Sequence, residues 1–287
     1  MWQLLIVLYF IFASASYLLR RVLAQKLRDH NREINAIFFL FFLLPAAIFL
    51  SFFFPHNLNV GPLNLFLLFG GSIIWPILSI ISFHANKDVD VGIFTIITNL
   101  SPVFTMVIAL PFLHESISNM QSLGIMLLIL SGILAASSQL NKHNRASING
   151  ILVCILSAIV LGVAVAYEGF MLGRVDFGTY LIFGWGSQII WSAILAHKEL
   201  RKIPQLFSKV ENRQTLIVWG STRVLGSVAF VSALKISGSA SIISAASDFL
   251  SVSVVIAAYF FLKEHRHMVY KLLATSLGVV GLLLIAK

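Results

Sequence analysis

The sequence predicts an all-α membrane protein: ten transmembrane helices arranged as two inverted five-helix repeats. Three observations lead there. The first is composition: of 287 residues, 59% are hydrophobic and only 11% are charged, where soluble domains carry about 25% charged residues. Mean hydropathy is +0.94. The second is run length. Apolar stretches continue for about 20 positions, the length that crosses a bilayer as a helix. Runs such as Ile34–Phe54 lack the alternation of a barrel strand. The third is a gapless internal repeat. Such a chain cannot build the polar faces of a soluble enzyme, a DNA-binding domain or a disordered protein. Its formal charge of +9 is ascribed to basic loops that orient helices, not to nucleic-acid binding.

The elements follow in order. Helix one spans 2–19. No basic start precedes it, and Arg20 and Arg21 follow in place of a small-residue cleavage site, so it is expected to be retained. A basic loop over 20–33 leads to helix two, 34–54. Helix three spans 63–83, and the loop after it carries Lys87. Helix four spans 92–113 and helix five 119–139. The next loop, with Lys142 and Arg145, opens the second half. Helices six and seven span 148–172 and 179–197. The charged loop Lys198–Arg213 separates them from helices eight, nine and ten at 214–234, 240–262 and 268–286. The odd-numbered loops, with Lys271 at the start of the last helix, hold sixteen Lys and Arg. The other face holds three: Arg174, Lys235 and Lys287. The positive-inside rule therefore puts the odd loops in the cytoplasm and both termini outside.

The repeat appears when the chain is slid over itself by 149 residues. Gly71-Ser72 then meets Gly220-Ser221, and Thr95, Thr98 and Asn99 meet Ser244, Ser247 and Asp248. Phe112-Leu113-His114-Glu115 meets Phe261-Leu262-Lys263-Glu264. Chance matching of apolar helices explains Leu on Leu, but not polar on polar three times and Glu on Glu. Residues 1–139 and 140–287 are thus expected to be two copies. Five helices per copy invert the second, as in carriers that alternate access around a midplane site.

The segment Asn99-Leu100-Ser101-Pro102-Val103-Phe104, then Leu113-His114-Glu115-Ser116, Gln121 and Gly124, resembles the fourth-to-fifth helix pattern of the drug/metabolite transporter superfamily in its EamA-type branch. The second half keeps Leu262-Lys263-Glu264 but has Ser251, Tyr270 and Leu273 where the first has Pro102, Gln121 and Gly124. The resemblance implies a cavity lined by helices of both halves, with the fifth and tenth more peripheral.

A charge inside a bilayer costs at least about 2.5–3.5 kcal/mol and calls for a reason. Three stand out: Glu168 in helix six, Arg223 in helix eight and Asp248 in helix nine. Ser241, Ser244, Asp248 and Ser251 make one helical stripe, and Thr95, Asn99, Pro102 and Thr105 make its counterpart. The candidate substrate site is therefore Arg223, Asp248, Glu168, Asn99, Ser244 and Tyr167. Arg223 would take an anionic group; Asp248 or Glu168 would take an amine or carry a coupling proton. The alternative is a static Arg223–Asp248 bridge. Prolines 45, 76, 102 and 111 fall in first-half helices, and Pro102 is the gating candidate. The five tryptophans are expected as interfacial anchors, with Trp75 also a candidate to line the cavity. Glu115 and Glu264 are expected to cap or pack helix ends.

No phosphate loop and no metal-ligand spacing is present, so neither cofactor nor metal is expected. The predicted function is a secondary transporter moving a small metabolite, amino acid or drug without ATP, as a monomer or homodimer. Its expected partners are a small-molecule substrate, protons as the candidate coupling ion, and membrane lipids. The expected location is a bacterial-type plasma (inner) membrane. The rivals are an intramembrane lipid-modifying enzyme and a lipid-carrier flippase subunit.

Overall fold

The computed structural model describes residues 2–113, 118–139, 145–265 and 268–285. Among them the regular structure is helical. We label ten long segments. They are α1 Trp2–Lys26, α2 Asn31–Ser51, α3 Pro62–Asp88, α4 (Val91–Thr98 and Ser101–Leu113) and α5 Asn119–Gln139. In the second half they are α6 Arg145–Arg174, α7 Phe177–Leu195, α8 Val210–Ser237, α9 (Ala240–Asp248 and Leu250–Phe261) and α10 Met268–Ile285. Each coincides with a predicted helix. By length and apolarity, eight of the described segments can cross a membrane. Segment α7 qualifies only jointly with the short helix Leu200–Ser208, bent 88° from it, and α10 is shorter.

The outer surface is what hydrocarbon requires. Phe52, Phe66 and Phe260 are 80%, 73% and 70% exposed, and a soluble monomer does not expose many such side chains. Inside, a large apolar core joins α1, α2, α3, α6, α7 and α8. The closest helix pairs are α1 with α8, α3 with α6, α4 with α6 and α9, and α5 with α10. Gly162 sets the approach of α6 to α4. A Cβ there would stand 2.6 Å from the Phe104 Cβ and 2.8 Å from the Ser101 carbonyl oxygen.

The helices are interrupted where the cavity forms. Segment α4 breaks at Asn99-Leu100, and α9 breaks at Phe249. At both breaks a three-residue turn replaces the helical bond. Val103 N–H donates to the Leu100 carbonyl, and Val252 N–H to the Phe249 carbonyl, both at 3.1 Å. Pro102, which has no N–H to give, accounts for the first break. The second occurs without a proline. Segments α2 and α7 each contain a π-helical turn, at Phe39–Leu43 and Tyr180–Trp185.

Four expectations are corrected. The first helix does not end at residue 19: α1 runs to Lys26, so Arg20 and Arg21 are buried helix residues and not loop charges. Lys271 is buried too, at 2% exposure. The loop Lys198–Arg213 contains the short helix Leu200–Ser208 and the start of α8. Trp185 and Trp219 are core residues, 2% and 0% exposed, not interfacial anchors. The readings of His114, Glu115, Lys142, Arg266 and Lys287 concern positions outside the described residues.

Arg21 and Lys271 belong to a buried ionic cluster at one end of the bundle. Arg21 approaches Asp90 at 3.7 Å and Glu264 at 3.5 Å and donates to the Asn86 carbonyl at 2.5 Å. Lys271 Nζ lies 2.9 Å from Asp90 and 3.7 Å from Glu264. Glu264 also accepts the Val91 N–H at 3.2 Å, capping the start of α4 as expected of a helix-end glutamate. Burial, reinforced by the neighbouring Asp90 charge, holds the Glu264 carboxyl above its ordinary range against the opposing pull of Lys271 and Arg21.

Candidate functional site

One cavity of about 150 Å³ lies between the two halves. It is smaller than the roughly 300–1,000 Å³ of sites for drug-sized ligands. Glu168 of α6, Arg223 of α8, and Ser244 and Asp248 of α9 all line it. Their convergence has a simple cause. Each is a polar side chain on an otherwise apolar helix, and an inward face avoids lipid.

The groups are held separately. Glu168, 1% exposed, accepts a hydrogen bond from the Tyr180 hydroxyl through Oε1 at 2.6 Å, while its Oε2 has no partner. The π-helical turn of α7 begins at Tyr180 and ends at Trp185, which lines the cavity. Asp248 Oδ2 accepts from the Ser101 hydroxyl at 3.2 Å, where the two helix breaks meet. Arg223 Nη1 donates to the Ser79 hydroxyl at 2.9 Å, and its guanidinium lies 3.9 Å from the centre of the Phe38 ring. Among the described residues Arg223 makes no ion pair with Asp248, so the static bridge weighed from the sequence is not formed.

Three predicted residues lie outside the lining. Asn99 joins the two broken helices: its amide nitrogen faces the Thr95 and Asp248 carbonyls at 2.9 and 3.2 Å, and its oxygen accepts from Ser251 at 2.8 Å. Tyr167 turns away toward α3, donating to the Leu67 and Leu68 carbonyls at 3.1 and 3.2 Å, with its ring against Gly71. Pro102 is buried one residue beyond Ser101. Trp75 does line the cavity.

One charged lining residue was missed. Arg20 points its guanidinium over the Tyr17 and Phe94 rings, 4.2 and 5.0 Å from their centres. In the sequence it sits among Arg21, Lys26 and Arg28 and reads as one more loop cation. Extending the predicted first helix by one residue would have found it, because Ala13, Ser16, Tyr17 and Arg20 share a face. Among the described residues no group of three or more His, Cys, Asp or Glu is arranged to hold a metal ion.

Comparison with known proteins bears on the whole architecture. Residues 1–137 match the model of the EamA-like transporter family, which bears out the resemblance to the drug/metabolite transporter superfamily. A solved structure, described only as a crystal structure of a protein, is similar over 97% of each chain with a TM-score of 0.56 and 14% identity. At that identity the likeness is one of fold. No curated protein matches the chain. Members of the matched family are membrane transporters of the drug/metabolite type, not enzymes. With the apolar helices, the match makes this a multi-pass membrane protein.

Proposed function

We propose that this family match, in a chain of this shape, marks a secondary transporter that moves a small metabolite, amino acid or drug across a bacterial-type plasma membrane. It works by alternating access without ATP. In this reading the ten segments are all membrane helices, and residues 1–139 and 140–287 are inverted five-helix repeats. Two features support the repeat. The helix breaks at Leu100 and Phe249 are equivalent positions in the sequence register. The packing partners also exchange under it: α1 with α8 becomes α6 with α3, while α4 with α9 and α5 with α10 map onto themselves.

The observation that carries the function is the cavity itself. Glu168, Arg223 and Asp248 come from three helices and converge on one cavity without pairing with one another. A purely structural role would pair them, since an unpaired buried charge is costly. Arg223, Asp248, Glu168 and Ser244 bind the substrate, and the unpartnered Oε2 of Glu168 is the position for a coupling proton. Asn99 and Tyr167 act from behind, holding the broken helices and α3. Pro102 gates by keeping α4 hinged next to Ser101 and Asp248.

Arg223→Ala and Glu168→Gln should each abolish uptake into proteoliposomes while the protein still reaches the membrane in normal amount. Uptake by both variants at the wild-type rate would overturn the site.

A further inference from the structure

We infer that the cavity takes an organic anion with an apolar or aromatic body, and that Arg20 receives its charged group. This rests on the transporter reading in treating the cavity as the substrate site, and it adds the substrate's charge class and the residue that reads it.

The argument starts from hydrogen-bond accounting. Arg20 is 9% exposed, yet its Nε and Nη2 have no hydrogen-bond partner. Those two N–H groups lie on the same edge of the guanidinium and point in parallel. That edge fits the two oxygens of a carboxylate, phosphate or sulfonate bidentately. Buried charged donors left unsatisfied are expensive, so an open edge in a packed bundle implies something that fills it.

Arg21, also buried, and the half-buried Arg223 show the contrast. Arg21 is fully engaged by Asn86, Asp90 and Glu264 and has a structural role. Arg223 is tied to Ser79 and stacked on Phe38. It adds positive charge to the cavity, but its position is already fixed. No carboxylate of the described residues lies within ion-pair distance of Arg20. Glu168 is held by Tyr180 and Asp248 by Ser101. The rings of Tyr17 and Phe94 lie under the guanidinium, and Trp75 lines the same space. An anion bound at Arg20 therefore has apolar walls for the rest of its body, and the small volume limits that body to about one ring.

The test is binding to the purified full-length protein, read by the fluorescence of Trp75 and Trp185 in the cavity wall. Benzoate and phenyl phosphate are titrated beside neutral benzamide and cationic benzylamine. The anions should bind saturably, at least about tenfold tighter than the amide and the amine, the scale of one lost charge-assisted hydrogen bond. Arg20→Gln should remove the preference for anions. Arg20→Lys, which keeps the charge but not the paired edge, should retain part of it. Arg28→Gln, at a surface pair with Asp88, should behave as wild type. Benzamide binding as tightly as benzoate, wild-type anion affinity in Arg20→Gln, or no saturable response to either anion would overturn the proposal. If Arg20→Gln does not fold, the wild-type comparison and Arg20→Lys decide it. Anion binding without flux in proteoliposomes would sink the transporter reading and leave this site standing. Flux of neutral or cationic compounds only would do the reverse.

Discussion

Among the individual residues, Glu168 and Tyr180 form the contact on which the cavity's acidic side depends. Tyr180 is fully buried and its hydroxyl is the hydrogen-bond donor to Glu168 at 2.6 Å. Tyr180→Phe leaves both carboxyl oxygens without a partner and should lower stability by about 1–3 kcal/mol, the cost of orphaning a buried polar group. Thermal unfolding in detergent measures it, and an unchanged midpoint would show that water or another group replaces the hydroxyl. How much of this site the sequence discloses depends on contrast. Glu168, Arg223 and Asp248 are legible because each interrupts an apolar run. Arg20 is not, because it merges with the basic residues that follow it. Tyr167 shows a further limit. It adjoins Glu168, but each step along a helix turns about 100°, so one residue faces the cavity and the next faces Gly71. Residue type is written in the chain, while rotational phase is set by packing.

Helices as units were more readable, since a run of about 20 apolar residues has few alternatives in a membrane. Their ends and interruptions were less so. The break in α4 could be anticipated from Pro102, but the break in α9 at Phe249 has no local signal. Its position became visible only through the equivalence of Leu100 and Phe249. With no proline in α9, its break is ascribed to the crossing with α4, where Asn99 bonds across to the Asp248 carbonyl and Ser251. Close helix approach can be tested at Gly162. Gly162→Ala would push a methyl group into the backbone of α4 at Ser101 and should destabilise by about 1–3 kcal/mol, as overpacking does. Gly173→Ala meets nothing within 4 Å and should be neutral or slightly stabilising. Equal unfolding temperatures for the two variants would refute the steric account of the α4–α6 contact.

The whole molecule is fastened across its halves by the cluster of Arg21, Asp90, Glu264 and Lys271, which joins α1, the α3–α4 turn, the α9–α10 turn and α10. Two opposing influences act on Glu264. Ion pairs with Arg21 and Lys271 favour its charged form, while burial and the Asp90 charge disfavour it, and the second pair of effects prevails, burial being the largest. The sign for stability follows. A carboxyl whose folded-state pKa is raised contributes stability that is fully present below its unfolded value of 4.5. That contribution is lost as pH rises through the higher folded value. Glu264→Gln cannot titrate, so the stability advantage of wild type over this variant should be largest in acid and shrink toward neutrality. Simple ion pairing demands the opposite, an advantage that grows as the carboxylate forms. Parallel unfolding curves of the two proteins from about pH 4 to pH 8 therefore separate the alternatives, with the range set by the ordinary carboxylate values. A gap that widens with pH would mean that Coulombic attraction, not burial, governs the contact between the halves. A gap that narrows would mean that burial of Glu264 outweighs its ion pairs, so that the charged cluster costs stability at neutral pH.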